Sequence, residues 1–406
     1  MLEQIITERD VRQLIHKHEL YQEKGDTEFV DFNEIIKRIY ANISSPIFDF
    51  NINKTHLHDK PLYLAGDIET KIVLRYLDKL VKRVYKVKQA NRDRIIKQLI
   101  SILQSTNEFY IIKLDISSFY ESIDTVKLIQ RLRDDGIISF QNVSYIESVI
   151  NKTSGCGLPR GIPFSASLSE LYLRDLDKYL KSNSSVSYFA RYVDDIIIIS
   201  SDDISEEITT YISNSNGLNL TLNESKRVIR KIKNCDVKTY HFDFLGYEFA
   251  IKGRLEKEKN KYGDTEKYRK LDIYISSSKI DKIKRRIVKA ALIFIQNKNF
   301  NSFYDRIRLI FSNYQLDSNA NGILMTGIYY NYKYITDNSS LNKINQFKNY
   351  LITSNSRLSK RIKLHLTPTQ KEKLLKLNIC SGFNSKMKIK FSEQKIQELC
   401  KVLKYV

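Results

Sequence analysis

Two short apolar tracts with aspartates inside them constrain this chain more than anything else in it. Residues 109–116 read FYIIKLDI, and residues 187–200 read SYFARYVDDIIIIS. Each is rich in β-formers and interrupted by few polar residues, which predicts a strand buried on both faces or nearly so. A carboxylate in such a strand is costly unless a cation accompanies it. Asp115 ends the first tract, and Asp194 and Asp195 break the second between Tyr192-Val193 and four isoleucines. Successive strand side chains point to opposite faces, so both acids meet one site only through a tight turn. A hairpin with Asp-Asp at its tip satisfies this. If the two strands are neighbours, Asp115 and Asp194 converge, with Asp195 close by. Three such like charges are expected around metal, and oxygen ligands without His or Cys favour Mg2+ or Mn2+. Two ions about 3.5–4 Å apart suit in-line nucleotidyl transfer, one at the attacking hydroxyl and one at the departing pyrophosphate. A lone Asp-Asp pair is more often a solvated turn. The isoleucine flanks and the second buried aspartate argue against that here.

The rest of the pattern gives these tracts a setting. The chain has 406 residues, 42% of them hydrophobic and 28% charged, a globular composition of two or three domains. Helical spacing is clear over 71–103, over 165–179 after the turn GLPRGIP, and from Ile280 to Phe294. Glu206 to Ser213 reads as a helix, Leu218 to Leu222 as a strand, and Tyr240 to Ala250 as a strand or hairpin. The expected fold is α+β: an antiparallel sheet backed by helices, then an all-helical C-terminal region. The expected divisions are N-terminal helices over 1–105, a sheet domain over 106–250, a connecting hairpin or loop over 251–275 and basic helices over 276–406. Cys156, Cys235, Cys380 and Cys400 have no metal-binding spacing and read as buried thiols. No apolar run is long enough for a membrane span and the first residues do not resemble a secretory signal, so a cytoplasmic protein is expected.

Charge is divided unevenly. The sequence carries 67 Lys+Arg against 47 Asp+Glu, and 33 and 12 of these lie in residues 251–406. The first 250 residues are therefore almost neutral and the whole surplus is C-terminal. Such a division suits a protein that handles a polyanion, with Lys282 to Lys289, Lys360 to Lys376 and Lys386 to Lys390 neutralising phosphate. Basic surfaces also serve anionic membranes and acidic partners.

In order, LDISSFYESI, GLPRGIPFSASLSELYL, RYVDDIIII, LTLNESKR and FDFLGYEF resemble the palm motifs A to E of reverse transcriptases, over about residues 60–250. The resemblance implies a right-hand polymerase with fingers and palm, followed by a thumb. It implies that Asp115, Asp194 and Asp195, with the Ile116 carbonyl, hold two Mg2+ (or Mn2+) ions. Tyr120 takes the position of the aromatic gate that excludes a nucleotide 2′-hydroxyl, unless it is simply a packed tyrosine. Lys226 matches the lysine that neutralises pyrophosphate, and a solvated lysine is the plainer account. Gly157, Pro159, Gly161 and Ser165 lie in the turn and helix supporting the incoming nucleotide. Arg160 stands where many relatives carry Gln, which leaves that contact open. Arg92 and Arg94 sit where fingers hold the triphosphate, or are helix-surface arginines. Phe244, Leu245, Gly246 and Tyr247 resemble the primer-grip hairpin, or a plain β-turn.

NRDRI before motif A, LDISSFYESID at it and PRGIPFSASLSELYL are most similar to abortive-infection and other defence-associated bacterial reverse transcriptases. Within these they resemble the second polymerase of the type 3 paired systems. This implies antiphage DNA synthesis from dNTPs, on an RNA template or structured non-coding RNA, or by protein-primed or template-independent addition, with a DNA product. A second reverse transcriptase subunit or a homo-oligomer would be the partner. Tyr329, Tyr330, Tyr332 and Tyr334 could stack bases or offer a priming hydroxyl, although helical packing is the simpler account. An RNA-directed RNA polymerase and a catalytically inactive nucleic-acid-binding scaffold remain alternatives.

Overall fold

The computed structural model describes residues 4–16, 19, 32–44, 48–57, 60–153, 157–214, 217–259, 265–319 and 322–403. Among these, no helix is long and apolar enough to cross a membrane. The chain divides into two compact units, residues 1–95 with 108–232 and residues 96–107 with 233–406. The secondary structure is α+β.

In the first unit, β1 (Ile52–Leu57) and β2 (Lys60–Ala65) form a hairpin before the helix Ile68–Val84. The central element is a four-stranded antiparallel sheet of order β4-β5-β3-β6, from β3 (Phe109–Asp115), β4 (Val186–Tyr192), β5 (Asp195–Ser200) and β6 (Val228–Ile232). The two apolar tracts are thus paired strands, in register from Tyr110 opposite Ser200 to Asp115 opposite Asp195. Ile112, Leu114, Ile196 and Ile198 turn into a core shared with Val73, Leu77, Leu168 and Leu171 from the helices Ile68–Val84 and Pro163–Tyr172. Their alternates Ile111, Ile197 and Ile199 are buried too, so β3 and β5 are covered on both faces. Each such side chain contributes about 1.5–3 kcal/mol of burial free energy, which fixes register because a one-residue slip would exchange the faces.

One sequence expectation is corrected in this unit. Leu218 to Leu222 is not a strand; it makes a single bridge, Leu222 to Ile116. The fourth strand is instead Val228–Ile232, VIRKI, whose two charged residues hid it from an apolar-run reading.

The second unit opens on the three-stranded sheet β7 (Thr239–Phe244), β8 (Tyr247–Lys259) and β9 (Thr265–Ile275). Of the segment 251–275, residues 251–259 and 265–275 belong to this sheet. The helix Ser277–Asn297 follows and buries the expected stripe, Ile280, Ile283, Ile287, Ala290, Ala291 and Phe294. An all-helical C-terminal region is corrected by one hairpin, β10 (Asn313–Asn319) with β11 (Gly322–Gly327). Asn321-Gly322 is a strong turn signal in the sequence, and helical periodicity nearby overshadowed it. The tyrosine run packs: Tyr332 and Tyr334 lie 6.0 and 6.3 Å from the Tyr247 ring, and Tyr329 lies 5.5 Å from Phe383. The cysteines are less buried than expected, Cys235 being exposed and Cys380 and Cys400 half-buried; Cys156 lies outside the described residues.

Arg269 explains why residues 96–107 join this unit. Its side chain is 0% exposed. It donates to the carbonyls of Ser105 at 3.1 Å, Asn107 at 3.0 Å and Lys252 at 3.1 Å, to the Gly253 carbonyl, and to Asn234 Oδ1 at 2.6 Å. A planar five-donor fork suits this task, and its loss strands several buried acceptors. Arg269→Met should lower unfolding stability by about 3 kcal/mol or more, measured by denaturant titration. A change within about 0.5 kcal/mol would refute this role.

Candidate active site

The acids meet where β3 ends against the β4–β5 turn. Tyr192 pairs with Asp195, leaving Val193 and Asp194 as the two turn residues. The tip is therefore Val193-Asp194, and Asp195 is the first residue of β5. Val193 has φ +60°, the left-handed region that a β-branched residue rarely enters. A positive φ at the first turn position only is the type II′ arrangement that matches strand twist. The Ile116 amide donates to the Asp194 carbonyl at 3.3 Å, so the tip is stitched to the strand carrying Asp115. On the other flank, the Asn223 amide donates to the Asp115 carbonyl at 2.7 Å and the Ser117 amide to Thr221 at 2.8 Å. Directly opposite residues of an antiparallel pair share a face, which sets Asp115 and Asp195 side by side.

The electrostatics record this crowding. Burial, then the charges of Asp194 and Asp115, push the Asp195 carboxyl up to about 6. Burial and the Asp115 charge also raise Asp194. Asp115, only 4% exposed, accepts from Lys226 Nζ at 3.0 and 3.1 Å and from Asn223 Nδ2 at 3.2 Å. The bond to Asp115 raises Lys226 above its ordinary range. Lys226 stands on the short 3-10 turn Glu224–Lys226 and its side chain is 55% exposed, so it can withdraw at little cost.

The like charges expected around metal also have cationic side chains beside them. Lys226 and, at longer range, Arg160 supply positive charge to the cluster. Among the described residues, no three His, Cys, Asp or Glu side chains stand close enough together to hold an ion as they are placed. The donor chemistry nevertheless fits a hard divalent cation: carboxylate oxygens only, with Asp194 and Asp195 pushed toward protonation by burial and by neighbouring carboxylates.

Behind the turn lies a residue that the sequence reading passed over. Arg191 is buried and donates from Nε and Nη2 to Asp177 at 2.8 and 2.7 Å, from Nη2 to Glu170 at 2.7 Å, and from Nη1 to the Val193 carbonyl at 3.2 Å. Burial opposes its charge, but the bonds to Asp177 and Glu170 outweigh that and hold its pKa above the ordinary value. Its basic side chain inside a hydrophobic strand, adjacent to Tyr192-Val193, was the available signal.

The residues of GLPRGIP lie against motif A. The Leu158 amide donates to the Tyr120 carbonyl at 2.7 Å. Gly157, with φ +71°, leaves no room for a Cβ, which would run into the carbonyls of Tyr120 and Glu121. Ser165 Oγ donates to the Pro159 carbonyl at 2.8 Å, holding the turn on the first coil of the helix Pro163–Tyr172. Gly161, at φ +93°, lies against the Tyr63 carbonyl. Arg160 Nε and Nη2 donate to the two Glu121 carboxylate oxygens at 2.6 and 3.0 Å. Arg92 and Arg94 begin the helix Arg92–Leu103, the Arg94 amide being capped by Asn91 Oδ1 at 3.1 Å. The charge of Arg160 lowers Asp194. In the second unit, Phe244 pairs with Tyr247 around a tight turn in which Leu245 and Gly246 both have positive φ, 45° and 84°, a type I′ arrangement.

Residues 67–249 match the reverse transcriptase (RNA-dependent DNA polymerase) family. The sheet, the acid cluster and the glycine turn all fall within that matched segment. Among curated proteins no match is found. Similar solved structures include apo telomerase from Candida tropicalis, at 14% identity, 91% of this chain, 64% of that chain and TM-score 0.39. Telomerase from Candida albicans in complex with a TWJ fragment of telomeric RNA gives 12%, 87%, 61% and 0.39. The chain spans 54% to 64% of the telomerase chains it matches. Overlaps this loose define no shared function.

A carboxyl whose folded pKa is raised is protonated more readily folded than unfolded, so it costs stability as pH rises from about 4 to about 6. In metal-free buffer, Asp195→Asn should be more stable than wild type above pH 6, by about 2 kcal/mol, and the gain should vanish below pH 4; thermal melts across that range decide it. Arg191→Met removes the cation between two acids and should destabilise the first unit by about 3 kcal/mol, whereas a melting temperature equal to wild type's would contradict that.

Proposed function

We propose that this chain is an RNA-directed DNA polymerase that joins deoxynucleotides by two-metal nucleotidyl transfer. The single observation that carries the reading is the paired register of Asp115 and Asp195 beside the Asp194 turn, inside the segment matching reverse transcriptases. Asp115, Asp194, Asp195 and the Ile116 carbonyl would hold two Mg2+ (or Mn2+) ions, which activate the primer hydroxyl and neutralise the leaving pyrophosphate when bound. Lys226 would release Asp115 to the ions and turn its ammonium to the pyrophosphate, a movement its exposure favours. Tyr120 is the proposed 2′-hydroxyl gate, with Pro159, Gly161 and Ser165 supporting the incoming dNTP. Arg92 and Arg94 are proposed triphosphate contacts, and Phe244, Leu245, Gly246 and Tyr247 the primer grip. Fingers and palm would occupy 1–105 and 106–250, and the helices beyond Ser276 the thumb.

The basic face of the helix Ser277–Asn297 supports the nucleic-acid assignment. Burial and the charges of Arg286, Lys279 and Arg285 lower Lys282, so cations there stand close together, as a phosphate-binding stripe requires. An RNA template or structured non-coding RNA and a DNA product are the proposed partners, in the cytoplasm of a bacterium. The motif strings shared with defence-associated enzymes support an antiphage role, with a second reverse transcriptase subunit or a second copy as partner. Packing of Tyr329, Tyr332 and Tyr334 against neighbouring rings disfavours these tyrosines as protein primers.

Primer extension on an RNA template with dNTPs tests the activity. Asp115→Asn and Asp194→Asn should each reduce incorporation by about a thousandfold or more, the scale of a lost electrostatic contact to the reacting centre. The same variants should abolish protection in a phage plaque assay. Sequencing the nucleic acid that copurifies identifies template and product. Extension by wild type with rNTPs alone would favour an RNA polymerase, and extension unaltered in both variants would remove the active site from these residues.

A further inference from the structure

Arg160 departs from the residue common at its position, and its surroundings give it a definite task. Its guanidinium makes a two-pronged ion pair with Glu121, at 2.6 and 3.0 Å. The same group lies over the Tyr120 ring, 5.3 Å from its centre. Phe119 meets that ring edge-on at 5.8 Å. From below, the Leu158 amide holds the Tyr120 carbonyl at 2.7 Å, and Gly157 lets the two backbones touch. Tyr120 is thus held through its backbone, a side-chain hydrogen bond with Ser169, one ring edge and one ring face, and the face contact is Arg160. A guanidinium can do this because it pairs with a carboxylate in its own plane while presenting its flat surface to an aromatic ring. Glutamine carries no charge to anchor against Glu121.

We infer that Arg160, anchored by Glu121, is a positioning residue that fixes the Tyr120 ring and so sets discrimination between deoxy- and ribonucleotides. The inference rests on the proposed polymerase activity and on Tyr120 as its gate. A gate excludes a hydroxyl only if its ring cannot swing aside, because one extra hydroxyl is poorly rejected by a yielding apolar surface. With Arg160 held over the ring by Glu121, rotation of Tyr120 forfeits the cation–π contact, and pushing Arg160 out of the ring's way costs the charge-assisted pair as well. Arg160 therefore acts through Tyr120, and its charge is engaged with Glu121.

Single-nucleotide extension with matched dNTP and rNTP separates the possibilities. The ratio of kcat/KM for the two substrates would be measured in wild type, Tyr120→Ala, Arg160→Gln, Arg160→Lys and Glu121→Gln, with folding checked by thermal melts. Tyr120→Ala should lose the discrimination. Arg160→Gln and Glu121→Gln should each lower it by roughly tenfold, chiefly through a fall in KM for rNTP. Arg160→Lys, which keeps charge without the flat fork, should fall between. If Arg160→Gln and Glu121→Gln keep the wild-type ratio while Tyr120→Ala loses it, the inference is overturned. It is overturned equally if Arg160→Gln depresses dNTP and rNTP use by the same factor, since Arg160 would then contact the nucleotide itself. Absence of dNTP incorporation by wild type would strike the underlying polymerase reading instead. An Arg160→Gln that fails to fold leaves Glu121→Gln to decide, because it removes the anchor and keeps the arginine.

Discussion

The charge balance at the tip of the β4–β5 hairpin governs the rest of the first unit. Three carboxylates are gathered there by strand register, and apolar burial on both faces of β3 and β5 makes that register hard to escape. The protein answers with cations on two sides. Lys226 and Arg160 act from the side of the carboxylates, one on a short exposed turn and the other tethered to Glu121. Arg191 acts from behind, holding a backbone carbonyl of the turn instead of a side chain. Lys226 can exchange partners; Arg191, buried between Asp177 and Glu170, cannot do so cheaply. Mobile charge therefore faces the chemistry and fixed charge supports the frame.

Much of this was legible in the sequence for a physical reason. Apolar runs fix buried strands, and an acid inside such a run is conspicuous because its burial is expensive. FYIIKLDI and SYFARYVDDIIIIS therefore revealed both strands and singled out Asp115, Asp194 and Asp195, whereas the pairing of the two strands entered only as a condition and comes from the register. The glycines of GLPRGIP were legible as a turn, and the structure adds the reason Gly157 has no substitute. What escaped had weaker signals. VIRKI mixes charge into a strand at one side of the sheet, Leu218 to Leu222 mimics a strand without finding partners along its length, and β10–β11 lies among helices. The partners of a buried arginine were invisible altogether, since Glu170, Asp177 and Arg191 are separated in sequence and meet only through folding.

The second unit applies the same chemistry to a different end. Arg269 and Lys348 are both fully buried cations, and both are bonded to backbone carbonyls. Lys348 Nζ donates to the carbonyls of Leu374, Leu375 and Leu377 at 2.9, 3.2 and 2.6 Å, closing the C-terminal end of the helix Pro368–Lys376, where carbonyls lack helical partners and the dipole favours a positive charge. Its burial draws its pKa down to about 8. Part of the C-terminal excess of basic residues thus serves architecture, and only the exposed remainder is available to a polyanion.

Val193 carries one more implication. Glycine would accept its backbone angle without penalty, yet a branched aliphatic residue occupies the place. The corner is accordingly a spring held under load: the surrounding bonds keep it bent, and glycine's slackness is denied to the one segment whose wandering would let the acids drift apart.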